Sequence, residues 1–100
     1  MSCEVLADTG ATLTILPGSL LEQLGLRPEK TLEFVLADGR ELRRPVGEAR
    51  VAVNGDAVTA RVVFGEPGDA ALLGLAVLEE LGLAVDPVNR RLVPAKFLLY

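Results

Sequence analysis

The sequence contains no histidine and no tryptophan, and Cys3 is its only cysteine. Without histidine, neither a Ser-His-Asp triad nor a Cys-His dyad can form within the chain. A single cysteine allows neither an internal disulfide nor a cysteine-rich zinc site, so we expect Cys3 to be an inert thiol, and we expect no metal and no cofactor. The groups left for proton transfer near neutral pH are carboxylates, with Lys30 and Lys96. An enzyme of this sequence would therefore use a carboxylate.

Clusters of basic charge and long apolar runs are also missing. The net charge is −4, and lysine and arginine are scattered along the chain, so we expect neither a nucleic acid nor a membrane surface as partner. The longest apolar stretch, "AALLGLAVL" at 70–78, is shorter than the roughly 20 residues of a membrane-spanning helix. The start "MSCEVL" lacks the pattern of a signal peptide. We expect a cytoplasmic protein.

Strand patterns and tight-turn dipeptides dominate what is present. Half of the 100 residues are hydrophobic but only 4% are aromatic, so leucine, valine and alanine must form the one core that this length allows. Apolar residues alternate with others on both sides of Asp38-Gly39 and of Asn54-Gly55, which predicts two hairpins with two-residue turns. A last hairpin is predicted around 87–89. The fold class is therefore mostly β.

Two short helices interrupt the strands. "PGSLLEQLGL" carries Ser19 as a candidate N-cap, with Glu22 completing a capping box and Gly25 as a left-handed end. "LAVLEEL" predicts a second helix, which ends at Gly82.

Asp8-Thr9-Gly10 is the motif that points to chemistry. It stands between apolar runs at 4–7 and 12–16, so we expect a carboxylate embedded in the core. Burying a charged group costs free energy, so such a carboxylate indicates a functional role. The alternative is an ordinary turn, in which Asp8 bonds nearby amides and Gly10 supplies a positive φ.

The context of this motif resembles the retropepsin-like aspartic proteases, the family of the retroviral proteases and their single-domain bacterial relatives. The likeness extends over about nine-tenths of the chain, in the family's order and spacing. The segments that carry it are "LADTGATLTILP" at 6–17, "FVLADGRELRRPVG" at 34–47, "ALLGLAVLEELGL" at 71–83 and "VDPVNRRLVP" at 85–94. The resemblance implies a retropepsin-like closed β barrel or sandwich of short strands and hairpins, with one or two short helices.

The resemblance also implies the catalytic residues Asp8, Thr9 and Gly10. In that family each subunit of a homodimer supplies one aspartate, and the two carboxylates share a water that attacks the peptide bond. Thr9 would join the two aspartate loops through hydroxyl hydrogen bonds, and Gly10 would leave room for substrate and donate its amide toward the carboxylate. The expected activity is an aspartic endopeptidase acting on peptide or protein substrates.

Two further groups of residues follow from the resemblance. The substrate would lie against small or apolar side chains, with Leu73 packed inward behind them. The tip of the hairpin around Asp38-Gly39 would serve as a flap that covers the substrate. The alternative for that hairpin is an ordinary solvated surface hairpin. Leu6 is a further candidate for a wall of the cleft, and plain core packing is the alternative role for Leu6, Leu13 and Ile15. The expected substrate-binding residues are Ala11, Leu13, Ile15 and Leu72, and the expected flap residues are Ala37, Asp38 and Gly39.

The start of the chain departs from the family pattern. Only seven residues precede Asp8, whereas family members usually carry a strand pair there, so the single domain over 1–100 is expected to lack that pair. Either the chain is a fragment, its start has been misassigned, or the C-terminal "RRLVPAKFLLY", with its apolar tail Phe97–Tyr100, replaces that pair. Two other functions stay open: a non-catalytic module of the same fold that binds peptides or dimerises, and an unrelated small β domain.

Overall fold

The structure is a computed structural model that describes residues 5–95. The expectations for Cys3, Lys96 and the tail Phe97–Tyr100 lie outside these residues. Eight strands and two helices make up the described part. In chain order they are β1 (Leu6–Asp8), β2 (Thr14–Pro17), α1 (Gly18–Gln23), β3 (Lys30–Val35), β4 (Glu41–Val53), β5 (Asp56–Gly65), β6 (Leu72–Gly74), α2 (Leu75–Glu80), β7 (Leu83–Asp86) and β8 (Arg91–Pro94).

Six of the strands form one sheet in the order β1-β6-β2-β5-β4-β3, and β7 pairs with β8 in a second, two-stranded sheet. β1 runs parallel to β6 and β2 runs parallel to β5, while the other pairs are antiparallel. The large sheet curls into a half-barrel with β1 and β3 at its two edges. The predicted mostly-β, retropepsin-like architecture with two short helices is confirmed.

The β4–β5 hairpin forms as its sequence predicts. Val53 pairs with Asp56, which leaves Asn54 and Gly55 as a two-residue turn. Both turn residues have positive φ, 53° and 86°, the backbone of a type I′ turn that matches the twist of antiparallel strands. This long hairpin carries much of the core.

The helices end as predicted, but α1 does not begin as predicted. Gly25 adopts a φ of 82° after α1, and Gly82 adopts a φ of 68° after α2, conformations that cost glycine little. The predicted N-cap at Ser19 is wrong, because α1 begins at Gly18 behind Pro17 and no side chain caps it. Pro17, the last residue of β2, is itself the residue before the helix, and its φ of −56° is the value at which the proline ring holds the backbone.

Two apolar clusters fill the interior, and residues of the long hairpin pack in both of them. One lies under α1 and the other under α2, so each helix buries its apolar face against the sheet. Truncating a fully buried leucine such as Leu78 would cost about 2–5 kcal/mol. The first cluster consists of Leu21, Ala49, Val62 and Phe64, and the second of Leu73, Val77, Leu78 and Leu81. Within residues 5–95, no helix has the length and apolar character needed to cross a lipid bilayer.

Candidate active site

Asp8 is the last residue of β1, and its backbone lies opposite Gly74 in the parallel pair with β6. Its side chain is half-buried rather than embedded in the core, so that sequence-based expectation is wrong. The reason is the position of β1 at the edge of the sheet, where one flank has no neighbouring strand among the described residues. The carboxylate is therefore accessible.

A tight turn fixes the direction of this carboxylate. The N–H of Gly10 donates to Asp8 Oδ1 at 2.8 Å, and the N–H of Ala11 donates to the carbonyl oxygen of Asp8 at 3.2 Å. Such side-chain bonds to nearby amides occur in many turns of this composition. The local turn by itself therefore does not distinguish a catalytic aspartate from a structural one.

A second chain segment also holds this loop. Where β6 runs into α2, the N–H of Leu75 donates to the carbonyl oxygen of Ala11 at 2.7 Å, and the N–H of Ala76 donates to that of Thr12 at 3.0 Å. Both bonds join backbone atoms, so they do not depend on the side chains of Leu75 and Ala76. The loop that follows Asp8 is thereby fastened to the start of α2.

Gly74 and Thr14 complete this attachment. The N–H of Gly74 donates to Thr14 Oγ1 at 2.9 Å, and Thr14 is 1% exposed. A Cβ on Gly74 would lie 2.5 Å from the carbonyl carbon of Leu13, closer than any real Cβ contact, so only glycine lets the two segments approach. Sequence reasoning did not single out Thr14. The pattern that could have identified Thr14 is a hydroxyl-bearing residue between two apolar residues of a predicted strand.

Thr9 and Gly10, the other two predicted catalytic residues, are exposed at the end of β1. Leu6, on the same edge strand, is 69% exposed and does not border the cleft described below, so its predicted place in a cleft wall is wrong. An exposed apolar residue on an edge strand is a surface to which another molecule can add. Asp8 thus stands at the end of an open edge.

Beside the aspartate loop lies a cleft of about 470 Å³ between that loop and the β3–β4 hairpin. All four predicted substrate-binding residues line it, together with Gly10, while Leu73 is buried in the core behind it. Sequence reasoning missed the residues that the hairpin and the neighbouring strands contribute. The predicted four are Ala11, Leu13, Ile15 and Leu72, and the main additions are Phe34, Leu36, Leu42, Arg44, Val63 and Asp69.

The three predicted flap residues occupy the tip of the β3–β4 hairpin. Ala37, Asp38 and Gly39 are exposed, and none of them lines the cleft. The predicted two-residue turn is wrong: strand pairing ends at Val35 and Glu41, and the N–H of Leu36 donates to the carbonyl oxygen of Arg40 at 2.8 Å. The tip is therefore wider than a two-residue turn, and within it the Asp38 carboxylate accepts bonds from the backbone N–H and the Nε of Arg40.

Arg44 and Asp69 are the charged residues that line the cleft. The guanidinium donates from Nε to Asp69 Oδ2 at 2.7 Å and from Nη2 to Oδ1 at 3.0 Å, a bidentate geometry that is among the strongest for such pairs. The hydrogen bond from Arg44 holds the pKa of Asp69 below its ordinary value, and the same bond raises the pKa of Arg44. Among residues 5–95, no three histidine, cysteine, aspartate or glutamate side chains are grouped to hold a metal ion.

Comparisons with known proteins show the family and a similar fold. The model of the family described as "gag-polyprotein putative aspartyl protease" matches residues 1–80. Among solved structures, the protease of simian foamy virus (mac), determined in solution, is 32% identical; the match covers 75% of this chain and 78% of that one, with a TM-score of 0.56. No curated protein matches the sequence.

Proposed function

This chain belongs to the family of gag-polyprotein aspartyl proteases, and from that membership we propose that it is an aspartic endopeptidase whose active site forms between two copies of the chain. Each copy would contribute one Asp8. The single observation that carries the proposal is the position of Asp8, whose half-buried carboxylate stands at the accessible end of an edge strand beside an apolar cleft.

The surface around Asp8 supports a second copy as the missing half. Thr9 and Gly10 are exposed beside it, and Leu6 adds exposed apolar area on the same strand. A two-fold axis past this edge would present the same patch from both subunits, as symmetric dimers require. Thr9 would then donate and accept hydrogen bonds across the interface, and the two carboxylates would come within reach of one water.

The proposed chemistry follows from placing two carboxylates side by side. They cannot both be ionised at such a distance, so one proton is held between them. The ionised carboxylate takes a proton from the water, whose oxygen bonds to the peptide carbonyl carbon, while the protonated partner gives its proton to the carbonyl oxygen. Collapse of the tetrahedral intermediate returns a hydroxyl proton to the second carboxylate and breaks the carbon–nitrogen bond, and the proton taken from the water passes from the first carboxylate to the departing amine. The bond from Gly10 N–H keeps Asp8 aimed during these steps.

The proposed substrate is an extended peptide with apolar side chains. Ala11 and Gly10 leave space for its backbone, and the apolar residues Leu13, Ile15 and Leu72 offer the walls of the cleft. The hairpin tip at Ala37, Asp38 and Gly39 would close over the peptide as a flap, with mobility supplied by the exposed turn. That role, the domain bounds of 1–100 and the bacterial branch stay predictions.

The test is a peptide-library digest across acidic to neutral pH, with two matched variants. Asp8→Asn keeps the size of the side chain and the oxygen that accepts from Gly10, so the fold should persist. Asp56→Asn makes the same chemical change at an exposed turn, where Asp56 bonds only the neighbouring amide of Ala57. We expect a bell-shaped pH profile for the wild type and for Asp56→Asn.

For Asp8→Asn we expect cleavage to fall by at least about a thousandfold. Unchanged cleavage in that variant would exclude Asp8 from catalysis. Binding of peptides without any turnover by the wild type would favour the non-catalytic module, and sedimentation as a monomer at all concentrations would exclude a shared dyad.

A further inference from the structure

One wall of the apolar cleft carries a pair of opposite charges. The β3–β4 hairpin places Phe34 opposite Leu42 and Leu32 opposite Arg44. Because side chains alternate along a strand, Leu42 and Arg44 share the face that turns to the cleft. Arg44 is thus the one residue on this face of the described hairpin that brings a charge into an otherwise apolar surface.

Both members of the pair are held in place independently of each other. The Nη1 of Arg44 donates to the carbonyl oxygen of Arg43 at 2.9 Å, which anchors the guanidinium to its own strand. Asp69 accepts from the N–H of Glu66 at 2.8 Å, and the N–H of Asp69 returns a bond to the carbonyl oxygen of Glu66 at 2.9 Å. Neither side chain would swing far away if the other were neutralised.

Their partial burial makes the pairing consequential. The side chains of Arg44 and Asp69 are 13% and 23% exposed, so water reaches little of either charge. An unpaired charge in such a place would bind another charged partner favourably, because an unpaired charge has a higher free energy there than on the exposed surface. Glu66 offers only a weak substitute: its carboxylate lies 3.6 Å from Arg44 and is 68% exposed.

We propose that Arg44 and Asp69 are specificity-determining residues of this cleft, which selects uncharged side chains because the two charges satisfy each other. The inference rests on the proposed peptidase function. An acidic substrate side chain entering this part of the cleft would face Asp69 and would have to displace it from Arg44. A basic side chain would have to displace Arg44 from Asp69. Leucine-like side chains disturb neither bond.

The proposal predicts that neutralising one member turns the cleft toward the opposite charge on the substrate. With Asp69 neutral, the anchored guanidinium of Arg44 is free to make with a substrate carboxylate the bidentate bond that it now makes with Asp69. With Arg44 neutral, Asp69 would instead attract lysine or arginine. Asp69→Asn and Glu66→Gln remove the charge with little change in size, and Arg44→Gln removes the charge while keeping part of the length of the side chain.

The experiment measures kcat/KM for peptides that differ at a single position. In an apolar peptide cut by the wild type, each position that flanks the cleaved bond carries in turn leucine, glutamine, glutamate or lysine. The enzymes compared are the wild type, Asp69→Asn combined with Glu66→Gln, Arg44→Gln, and the control Glu66→Gln alone. Peptide affinity is measured by calorimetry on the same set, so that selection is read even where turnover is slow.

At one position we expect the glutamate-to-glutamine ratio of kcat/KM to rise at least about tenfold in the Asp69→Asn, Glu66→Gln protein, and the lysine-to-glutamine ratio to rise similarly in Arg44→Gln. Glu66→Gln alone should keep both ratios within about twofold of the wild type. The two opposite expectations keep the proposal testable if one variant fails to fold.

The outcomes separate this proposal from the one on which it rests. Cleavage of neutral peptides with charge ratios that stay the same in every variant would overturn the specificity role and leave the endopeptidase intact. No cleavage by the wild type would overturn the endopeptidase; in that case a reversal of charge preference in peptide affinity would still support selection by this pair, and an unchanged preference would overturn it.

Discussion

The backbone N–H of Gly74 donates a 2.9 Å hydrogen bond to the buried hydroxyl of Thr14, across 60 residues of sequence. This bond joins the segment that follows the Asp8 loop to the end of β6, the strand that lies beside Asp8. The geometry of the candidate active site therefore depends on a contact between two residues that carry no catalytic chemistry.

Replacing Thr14 by valine should destabilise the protein by about 1–3 kcal/mol. The substitution keeps the shape of the side chain but leaves the buried N–H of Gly74 without an acceptor, and such an unsatisfied donor carries the full cost of its desolvation. Urea denaturation measures the effect. Thr14→Ser retains the hydroxyl and should recover most of the loss; equal stability of the valine and serine variants would mean that the hydroxyl does not matter.

Replacing Gly74 by alanine should lower the free energy of unfolding by about 3 kcal/mol or more, because the added Cβ would lie only 2.5–2.7 Å from backbone atoms of Leu13 and Thr12. Backbone cannot move aside as a flexible side chain does. Gly68→Ala is the matched control, since nothing lies within 4 Å of the Cβ it would gain. Both are measured by urea denaturation, and similar midpoints for the two variants would contradict the close approach at Gly74.

Asp69 should make stability depend on pH in the acid range. Its pKa lies below the ordinary value of 3.8 in the folded protein, so protonation favours unfolding. The stabilisation is complete above the ordinary pKa and is lost as pH falls through the lowered one. We expect the free energy of unfolding to fall less in Asp69→Asn than in the wild type between about pH 5 and about pH 2.

Arg44 is the main cause of that lowered pKa, which supplies the control for the pH experiment. In an Arg44→Gln background, the further change Asp69→Asn should alter the acid dependence much less than it does in the wild type. Parallel pH curves for the wild type and Asp69→Asn would show that the pair does not contribute to acid stability.

Features set by neighbouring residues could be predicted from the sequence. The turn at Asn54 and Gly55 forms because both residues tolerate positive φ, and α2 ends before Gly82 for the same local reason. The family resemblance then predicted the residues of the candidate site, and the structure brings four of them to one cleft: Ala11, Leu13, Ile15 and Leu72.

Features set by distant residues could not be predicted in this way. The Thr14–Gly74 bond and the Arg44–Asp69 pair join segments 60 and 25 residues apart, and no local pattern encodes such partners. The half-burial of Asp8 follows from the place of β1 at a sheet edge, which is a property of the whole topology. At Ser19 the capping pattern was present, but α1 begins at Gly18, directly after strand β2 ends at Pro17, so Ser19 already lies inside the helix.

The most direct test of the shared Asp8 site is a mixing experiment. Wild-type chain is incubated with a ninefold excess of Asp8→Asn until subunits exchange, and cleavage of an apolar peptide is measured per wild-type chain. If both copies must supply Asp8, activity per wild-type chain should fall to about one tenth, the fraction of wild-type subunits that still pair with one another. With the same excess of Asp56→Asn every subunit still carries Asp8, so activity per total chain should equal that of the wild type alone. Full activity in the presence of Asp8→Asn would contradict a site built from two copies of the chain.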